Sequence, residues 1–518
     1  MGVTLALART AQVRAKHIAT IDGERRRSWA EFAERAARGA GALRSWGVLP
    51  GDRVAVLAAN SDAYLELLAA TPWAGGVLVP MNIRWSEAEI ADGLVDCGPR
   101  VLIVDAARLE MGRRLAAGAA APFKLIAFDC DPSAGVPSYE AALTTSPTIP
   151  DENRSGDDLF GIFYTGGTTG RSRGVMLTHR NVLTGASSAW AEGYYREEAV
   201  YLVGGGMFHA SGTWPGVAIL ASGGTCVVMP SFTPGEALRL IAAHRVTESL
   251  LVPAMIQMLI EHEDFPTTDM SSFRQAVYGA APITEALLDR ALVALPGVRF
   301  IQAYGQTELS PLATTLPFEY LTGASRARGR HRSAGRATFG VQVEIVDAED
   351  RRLPRGEVGE IIARGENVMK GYWRRPEETA AALRNGWMHT GDAGYMDEDG
   401  FIYVVDRVKD MIISGGENVY SLEVENVVAQ HPAVAQCAVV GVPSDEWGEQ
   451  VHAVVVRKPG AEVSGKEIIV FCKERIAGYK CPRSVDVGDV PLPMSGAGKI
   501  LKRELRRPFW EGKERRVN

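Results

Sequence analysis

Residues 164–174 read Tyr-Thr-Gly-Gly-Thr-Thr-Gly-Arg-Ser-Arg-Gly. Gly166, Gly167, Gly170 and Gly174 are mixed with Thr165, Thr168, Thr169, Arg171 and Arg173. Glycines lack a Cβ, so their backbone N–H groups can approach an anion closely. The hydroxyls add donors, and the guanidinium groups add charge and forked donors suited to phosphate. The stretch follows Leu159, Phe160, Ile162 and Phe163, which have the pattern of a buried strand. A merely solvated loop would need neither that strand nor the arginines. The loop does not match GxxxxGK[ST], so the usual P-loop fold is not implied.

A phosphate cradle acts only if a scaffold holds it. Ser28 and Glu31 make a capping-box pattern, and Trp29, Phe32, Ala33, Ala36 and Leu43 follow at helical spacing up to Gly47. Strands are predicted over 53–58, 75–80 and 101–105, with a helix over 86–97 between the last two. The stretch 118–153 is rich in Pro, Ser and Thr and predicts mostly irregular chain. After the glycine loop, Thr178-His179-Arg180-Asn181 signals a helix start. Strands follow over 225–229, 248–252, 274–279 and 299–303. The last two run into Tyr278-Gly279-Ala280-Ala281-Pro282 and Tyr304-Gly305-Gln306-Thr307-Glu308. Open α/β sheets place their ligands at such strand ends. From Ala334 the strands become shorter and antiparallel in texture. The charged crossing Asp406-Arg407-Val408-Lys409-Asp410 then leads into a compact α+β segment. The expected architecture is α/β: a large N-terminal domain of doubly wound sheets with a β-rich subdomain, and a small mobile C-terminal α+β domain. The boundary falls between 1–406 and 407–518.

Composition agrees with a multidomain enzyme. The chain has 518 residues, too many for one ordinary core, with 46% apolar and 23% charged side chains. A net charge of -6 argues against nucleic acid as the main partner. The six cysteines form no CxxC pair and read as reduced packing residues of a cytoplasmic protein. No apolar run reaches membrane-spanning length, and Arg9, Arg14 and Lys16 interrupt any signal-peptide core. These features leave a homodimer open.

Several stretches occur together in a fixed order: 164–175, Met207-Phe208-His209-Ala210-Ser211-Gly212, 278–282, 304–308, Thr390-Gly391-Asp392, 406–420 and 493–505. Together they resemble the adenylate-forming superfamily of acyl- and aryl-CoA ligases, luciferases and peptide-synthetase adenylation domains, from the first helices to Leu505. The resemblance implies ATP, Mg2+ and CoA as cofactors and a catalytic set of Lys499, His209, Glu308 and Thr165. The glycine loop, Thr165 to Gly170 with Arg173, would hold the β- and γ-phosphates of ATP. The family usually carries lysine at position 173, and arginine keeps the charge with altered geometry. Tyr304 would stack on adenine, Gly279, Ala280 and Ala281 would admit the base edge, and Gly305 and Thr307 would complete the turn. Glu308 would orient the magnesium, a role suited to a hard carboxylate. Asp392 would accept the ribose hydroxyls, with Arg407 as a second ribose or phosphate contact.

Lys499 is implied as the residue that adenylates. The acid is already ionised at neutral pH, so its in-line attack on the α-phosphorus needs no base. It needs positive charge and alignment, which a lysine on a glycine-flanked loop can bring and withdraw. His209 would lie beside the acyl pocket and gate the acid and thiol paths without transferring a proton. Met207, Phe208, Trp214, Tyr278 and Leu312 are candidate pocket walls, each equally able to be core. For the thiol step the small domain would turn about Lys409, exchanging the lysine loop for Gly415, Gly416 and Glu417. Trp447 and Tyr479 match positions that meet CoA in some relatives, while Cys481 stands where those relatives carry a basic residue.

The expected activity is ATP-dependent ligation of a fatty or aromatic acid to CoA through an acyl-adenylate, giving AMP and pyrophosphate. The rivals are an enzyme that loads a separate carrier protein, a luciferase-type oxidation, a simple ATPase or phosphotransferase, and a binding protein that keeps the fold without turnover.

Overall fold

The computed structural model describes residues 1–130, 135–165, 172–407, 410–415, 417–444, 446–494 and 500–511. Among them the chain forms four sheets. The largest has nine strands. Its centre is parallel, in the spatial order Ile18–Asp22, Thr225–Val228, Val200–Val203, Glu248–Leu251, Gln275–Gly279 and Arg299–Tyr304. Antiparallel strands close both ends: Arg25–Ser28 on one side, Thr314–Leu316 and Arg336–Ala337 on the other. The second sheet has seven strands, in the order Gly371–Tyr372, Arg173–Thr178, Leu159–Thr165, Val77–Pro80, Arg53–Leu57, Val101–Val104 and Lys124–Ala127. The glycine loop therefore joins two antiparallel neighbours, Leu159–Thr165 and Arg173–Thr178.

Two helices are buried almost all round, Asp62–Trp73 and Ala210–Ser222. A helix without a polar face must be enclosed. The first is enclosed by both large sheets, touching Ile18–Asp22 in one and Val77–Pro80 in the other. Its start is set by Ser61, whose side chain accepts from the Tyr64 N–H. The expected capping box at Ser28 and Glu31 is present, and another at Thr178 and Asn181 starts the helix His179–Ala191.

The β-rich part is an antiparallel sheet of Val341–Val346, Gly359–Gly365, Trp387–Met396 and Leu383–Arg384, with Ile402–Arg407 paired to Trp387–Met396. The C-terminal sheet pairs Glu417–Val419, Ile412–Ser414, Gly448–Arg457 and Val434–Ser444, with Ser484–Gly488 parallel to Gly448–Arg457. The two sheets share no strand.

The stretch 118–153 is mostly irregular, as expected, but it contains the strand Lys124–Ala127 and the helix Tyr139–Thr145. Its polar, proline-rich composition hid them. The strand pairs with Val101–Val104 at the sheet edge, and the helix is capped by Ser138 and anchored by the buried Tyr139. The helix Val3–Val13 and the hairpin Ile18–Asp22 with Arg25–Ser28 also carried no pattern strong enough to read from sequence.

Candidate active site

The strands Gln275–Gly279 and Arg299–Tyr304 end side by side, and both end in turns with no room for larger side chains. A Cβ on Gly279 would strike the Ala303 carbonyl, and one on Gly305 the Pro311 carbonyl. Ala280 sits at φ +65°, a left-handed conformation that costs a non-glycine residue energy and is characteristic of functional turns. Thr307 opens the short turn Thr307–Leu309 that carries Glu308.

Tyr304 projects from its strand end to the third sheet. Its hydroxyl donates to Asp392 Oδ2 at 2.7 Å. Arg407 is the cross-strand partner of Asp392, with its Nε 3.6 Å from Oδ1. The turn before Asp392 is held by Thr390 Oγ1, which donates to the Ile361 carbonyl and accepts from the Asp392 N–H, and by Glu360, which accepts from the Gly391 N–H. Gln306 adds a bond to the Thr390 carbonyl at 3.1 Å. Burial, and then the neighbouring Asp392 charge, hold the Tyr304 phenol far above its ordinary range, so it stays a donor. The proposed adenine and ribose residues thus form one connected group drawn from positions 304, 392 and 407.

The second group surrounds the roots of the glycine loop. Thr165 ends one strand and Arg173 begins the next. The Arg173 guanidinium lies 4.8 Å over the Tyr372 ring and donates to Glu378 at 3.1 Å, while its Nε is buried with no hydrogen-bond partner among the described residues. Tyr372 donates to Glu308 Oε1 at 2.9 Å. Burial, and then Glu308, push the Tyr372 phenol well up. Tyr372 and Glu378 were not found from sequence. Each sits beside a glycine or proline turn signal, but nothing local connects either to Glu308. Gly166, Gly167, Thr168, Thr169 and Gly170 lie outside the described residues.

The candidate acyl-pocket residues are held differently. His209 caps the helix Ala210–Ser222 through its backbone, and its ring lies 4.5 Å from that of Phe208. The loop before it is pinned by Asn60. The buried Asn60 amide donates to the Gly205 and Met229 carbonyls at 3.0 and 3.1 Å and accepts from the Met207 N–H at 2.8 Å. Thr213 Oγ1 closes the turn on the Met207 carbonyl at 2.6 Å. Met207, Trp214 and Leu312 share one apolar cluster, and Tyr278 belongs to the adjoining one. A separate cleft of about 500 Å³ runs past Thr315, Arg336 and Val341, and none of the candidate residues lines it.

In the small C-terminal part, Gly415 sits at φ +62°, where a Cβ would press into the Trp447 ring. Arg483, also missed from sequence, lies 4.3 Å over the same ring. Glu417 is exposed and Tyr479 is 41% exposed, while Lys480 is paired with Glu423 at 2.8 Å. Lys409, Gly416 and Lys499 lie outside the described residues.

The family profile of AMP-binding enzymes matches residues 7–373, and that of the AMP-binding enzyme C-terminal domain matches 423–499. The chain belongs to the AMP-binding enzyme family. This AMP-binding enzyme is 41% identical over 485 residues to a feruloyl-CoA synthase of an Amycolatopsis species, covering 93% of this chain and 94% of that one. It is 38% identical over 482 residues to the fatty acid–[acyl-carrier-protein] ligase ScoC of Streptomyces coeruleorubidus, covering 92% and 90%. Its fold matches that of o-succinylbenzoate CoA synthetase (MenE) of Bacillus subtilis in complex with the acyl-adenylate intermediate OSB-AMP, with a TM-score of 0.85, 30% identity and coverage of 96% and 97%. The enzyme stands in the acyl- and aryl-CoA ligase branch and is an AMP-forming acid–thiol ligase.

Proposed function

We propose that this ligase activates an aromatic or medium-length fatty acid and passes it to CoA. The observation that carries the reading is the convergence of Tyr304, Asp392 and Arg407 at a strand end beside the Glu308 turn, together with the buried apolar side chains Met207, Phe208 and Trp214 at the start of the helix Ala210–Ser222. The former suits a nucleoside, and the latter suits an uncharged acyl group. No lysine or arginine stands among those wall residues, which disfavours a second carboxylate on the acid.

In the first step a carboxylate oxygen bonds to the α-phosphorus and the bond to the β-phosphate oxygen breaks, releasing pyrophosphate. Arg173 and Lys499 supply positive charge toward the phosphates, and alignment does the rest. In the second step the thiol sulfur bonds to the acyl carbonyl carbon and AMP leaves. Glu308 suits magnesium. It is a single buried carboxylate, and among the described residues no group of three or more potential ligands competes for a metal. Magnesium characteristically takes one or two carboxylates and completes its shell with phosphate oxygens and water. When bound, it would neutralise charge on the triphosphate.

The chain divides near 406–409 in this reading. The antiparallel sheet of the large domain ends at Arg407, and the next sheet begins at Ile412. Asp406 is already bonded into the small domain, accepting from Ser421 N–H and Oγ at 2.5 and 2.7 Å. The six free cysteines fit a reducing cytoplasm.

The test is product identity. With ATP, magnesium and a panel of acetate, medium and long fatty acids, benzoic and cinnamic acids, the enzyme is expected to release pyrophosphate and AMP and to form a CoA thioester. ADP and phosphate, or no turnover with any acid, would sink the reading. Lys499→Ala is expected to abolish adenylation and largely spare thioester formation from pre-made acyl-adenylate. The likeness to ScoC supports one second reading, an acyl-carrier-protein thiol as acceptor. Transfer to a phosphopantetheine-bearing carrier with none to free CoA would favour it.

A further inference from the structure

The two roots of the glycine loop are joined by a chain of side chains that ends on Glu308. Tyr164 donates to Asp96 Oδ2 at 2.6 Å, and Asp96 Oδ1 accepts from Arg375 at 3.4 Å. Arg375 Nε lies 3.7 Å from Glu378, which accepts from Arg173 at 3.1 Å. Arg173 covers the Tyr372 ring, and Tyr372 donates to Glu308. The participants come from positions 96 to 378 and meet only through the fold.

We propose that Tyr372, braced by Arg173 and Glu378, is a positioning residue that fixes Glu308 toward the magnesium-bearing phosphates of ATP. Among the described residues, the Tyr372 hydroxyl makes the one hydrogen bond to the buried Glu308 carboxylate. Without it the carboxylate can rotate. Tyr372 is itself locked at the backbone. Gly371, at φ +140°, leaves no space for a Cβ against Thr379, and Thr379 Oγ1 accepts the Tyr372 N–H at 2.8 Å. The ring is held from above by the Arg173 guanidinium. A lysine ammonium is a compact point charge that cannot lie flat on a ring and also bond Glu378, so arginine at 173 serves the brace in a way lysine does not.

This rests on the ligase reading for the identity of the ligand, and its test separates the two. The whole enzyme is titrated calorimetrically with ATP, with and without magnesium, in the absence of acid and CoA. The magnesium dependence of pyrophosphate release is measured in parallel. Tyr372→Phe keeps the ring and removes the hydroxyl. Affinity for magnesium–ATP is expected to fall about tenfold, with binding of magnesium-free ATP nearly unchanged. Arg173→Lys and Glu378→Gln are expected to move the same quantity about threefold in the same direction. No loss, or equal loss with and without magnesium, overturns the brace. If Tyr372→Phe does not fold, Glu378→Gln, at a partly exposed position, decides by the same criterion. Wild-type enzyme that binds no magnesium–ATP would overturn the ligase reading itself.

Discussion

The proposed nucleotide side and the proposed acid side of this enzyme are stabilised by different means. On the nucleotide side, functional side chains hold one another. Tyr304 bonds Asp392, Asp392 faces Arg407, and Glu308 is held by Tyr372 beneath Arg173. On the proposed acid side, Met207, Phe208 and Trp214 make no side-chain hydrogen bond to one another among the described residues. Met207 is placed by the Asn60 amide acting on the backbone, and Trp214 is packed against Tyr195 with ring centroids 5.5 Å apart. Directional bonds between charged groups lose much when one partner is removed. Packed apolar walls distribute their energy over many small contacts and tolerate reshaping. Nucleotide recognition should therefore be brittle, and acid selectivity adjustable.

The severest break of that contrast is Asp392→Ala. It removes the partner of both Tyr304 and Arg407, and kcat/KM for ATP is expected to fall about 100-fold, with the acid preference kept. Pyrophosphate-release kinetics over a range of ATP and acid concentrations measure it, and a change in acid preference would erase the division between the two sides. Next comes Asn60→Ala. Loss of its buried amide leaves the Gly205 and Met229 carbonyls and the Met207 N–H unpaired. The KM for the acid is expected to rise about thirtyfold while that for ATP changes little, with about 2 kcal/mol lost from stability in denaturant unfolding. A parallel rise in both KM values would mean the loop serves the whole site. Trp214→Leu is milder. It is expected to shift the ratio of kcat/KM between aromatic and fatty acids about tenfold with ATP kinetics unaltered.

The smallest effect concerns the floor beneath the acid side. Glu248 accepts from the Tyr195 N–H at 3.3 Å and from Gln275 at 3.0 Å, and burial pushes its carboxyl up to about 7 from the ordinary 4.5. A raised folded value means that the fold prefers the protonated form. Its stabilisation is complete below about pH 4.5 and is lost as pH rises through about 7. Glutamine does not titrate. The melting temperature of Glu248→Gln, taken relative to wild type, should therefore rise between pH 5 and pH 8. A falling difference would show that the carboxylate, not the acid, is the form the fold holds.

How much of this was legible depended on the kind of residue. The glycine loop, Tyr304, Glu308 and Asp392 could be proposed from sequence because turns that admit a ligand demand glycine, alanine and short polar side chains at fixed spacing. The strand ends that carry them were readable from apolar runs bounded by such turns. Tyr372, Glu378 and Asn60 gave no such signal. Each is an ordinary residue locally, and its partner lies 64 to 205 positions away. The strand Lys124–Ala127 was missed for a related reason, since an edge strand of four residues draws its order from the neighbour it pairs with.

The glycine-rich stretch at 164–174 shows where the division lies. Its composition alone pointed to an anion cradle after a buried strand, because N–H donors, hydroxyls and guanidinium groups have a chemistry independent of what surrounds them. The surroundings of Arg173 were set by the tertiary structure, which lays its guanidinium on Tyr372 and pairs it with Glu378. Stacking and charge pairing act over a few ångströms in space, and distance in space is what a linear sequence does not encode.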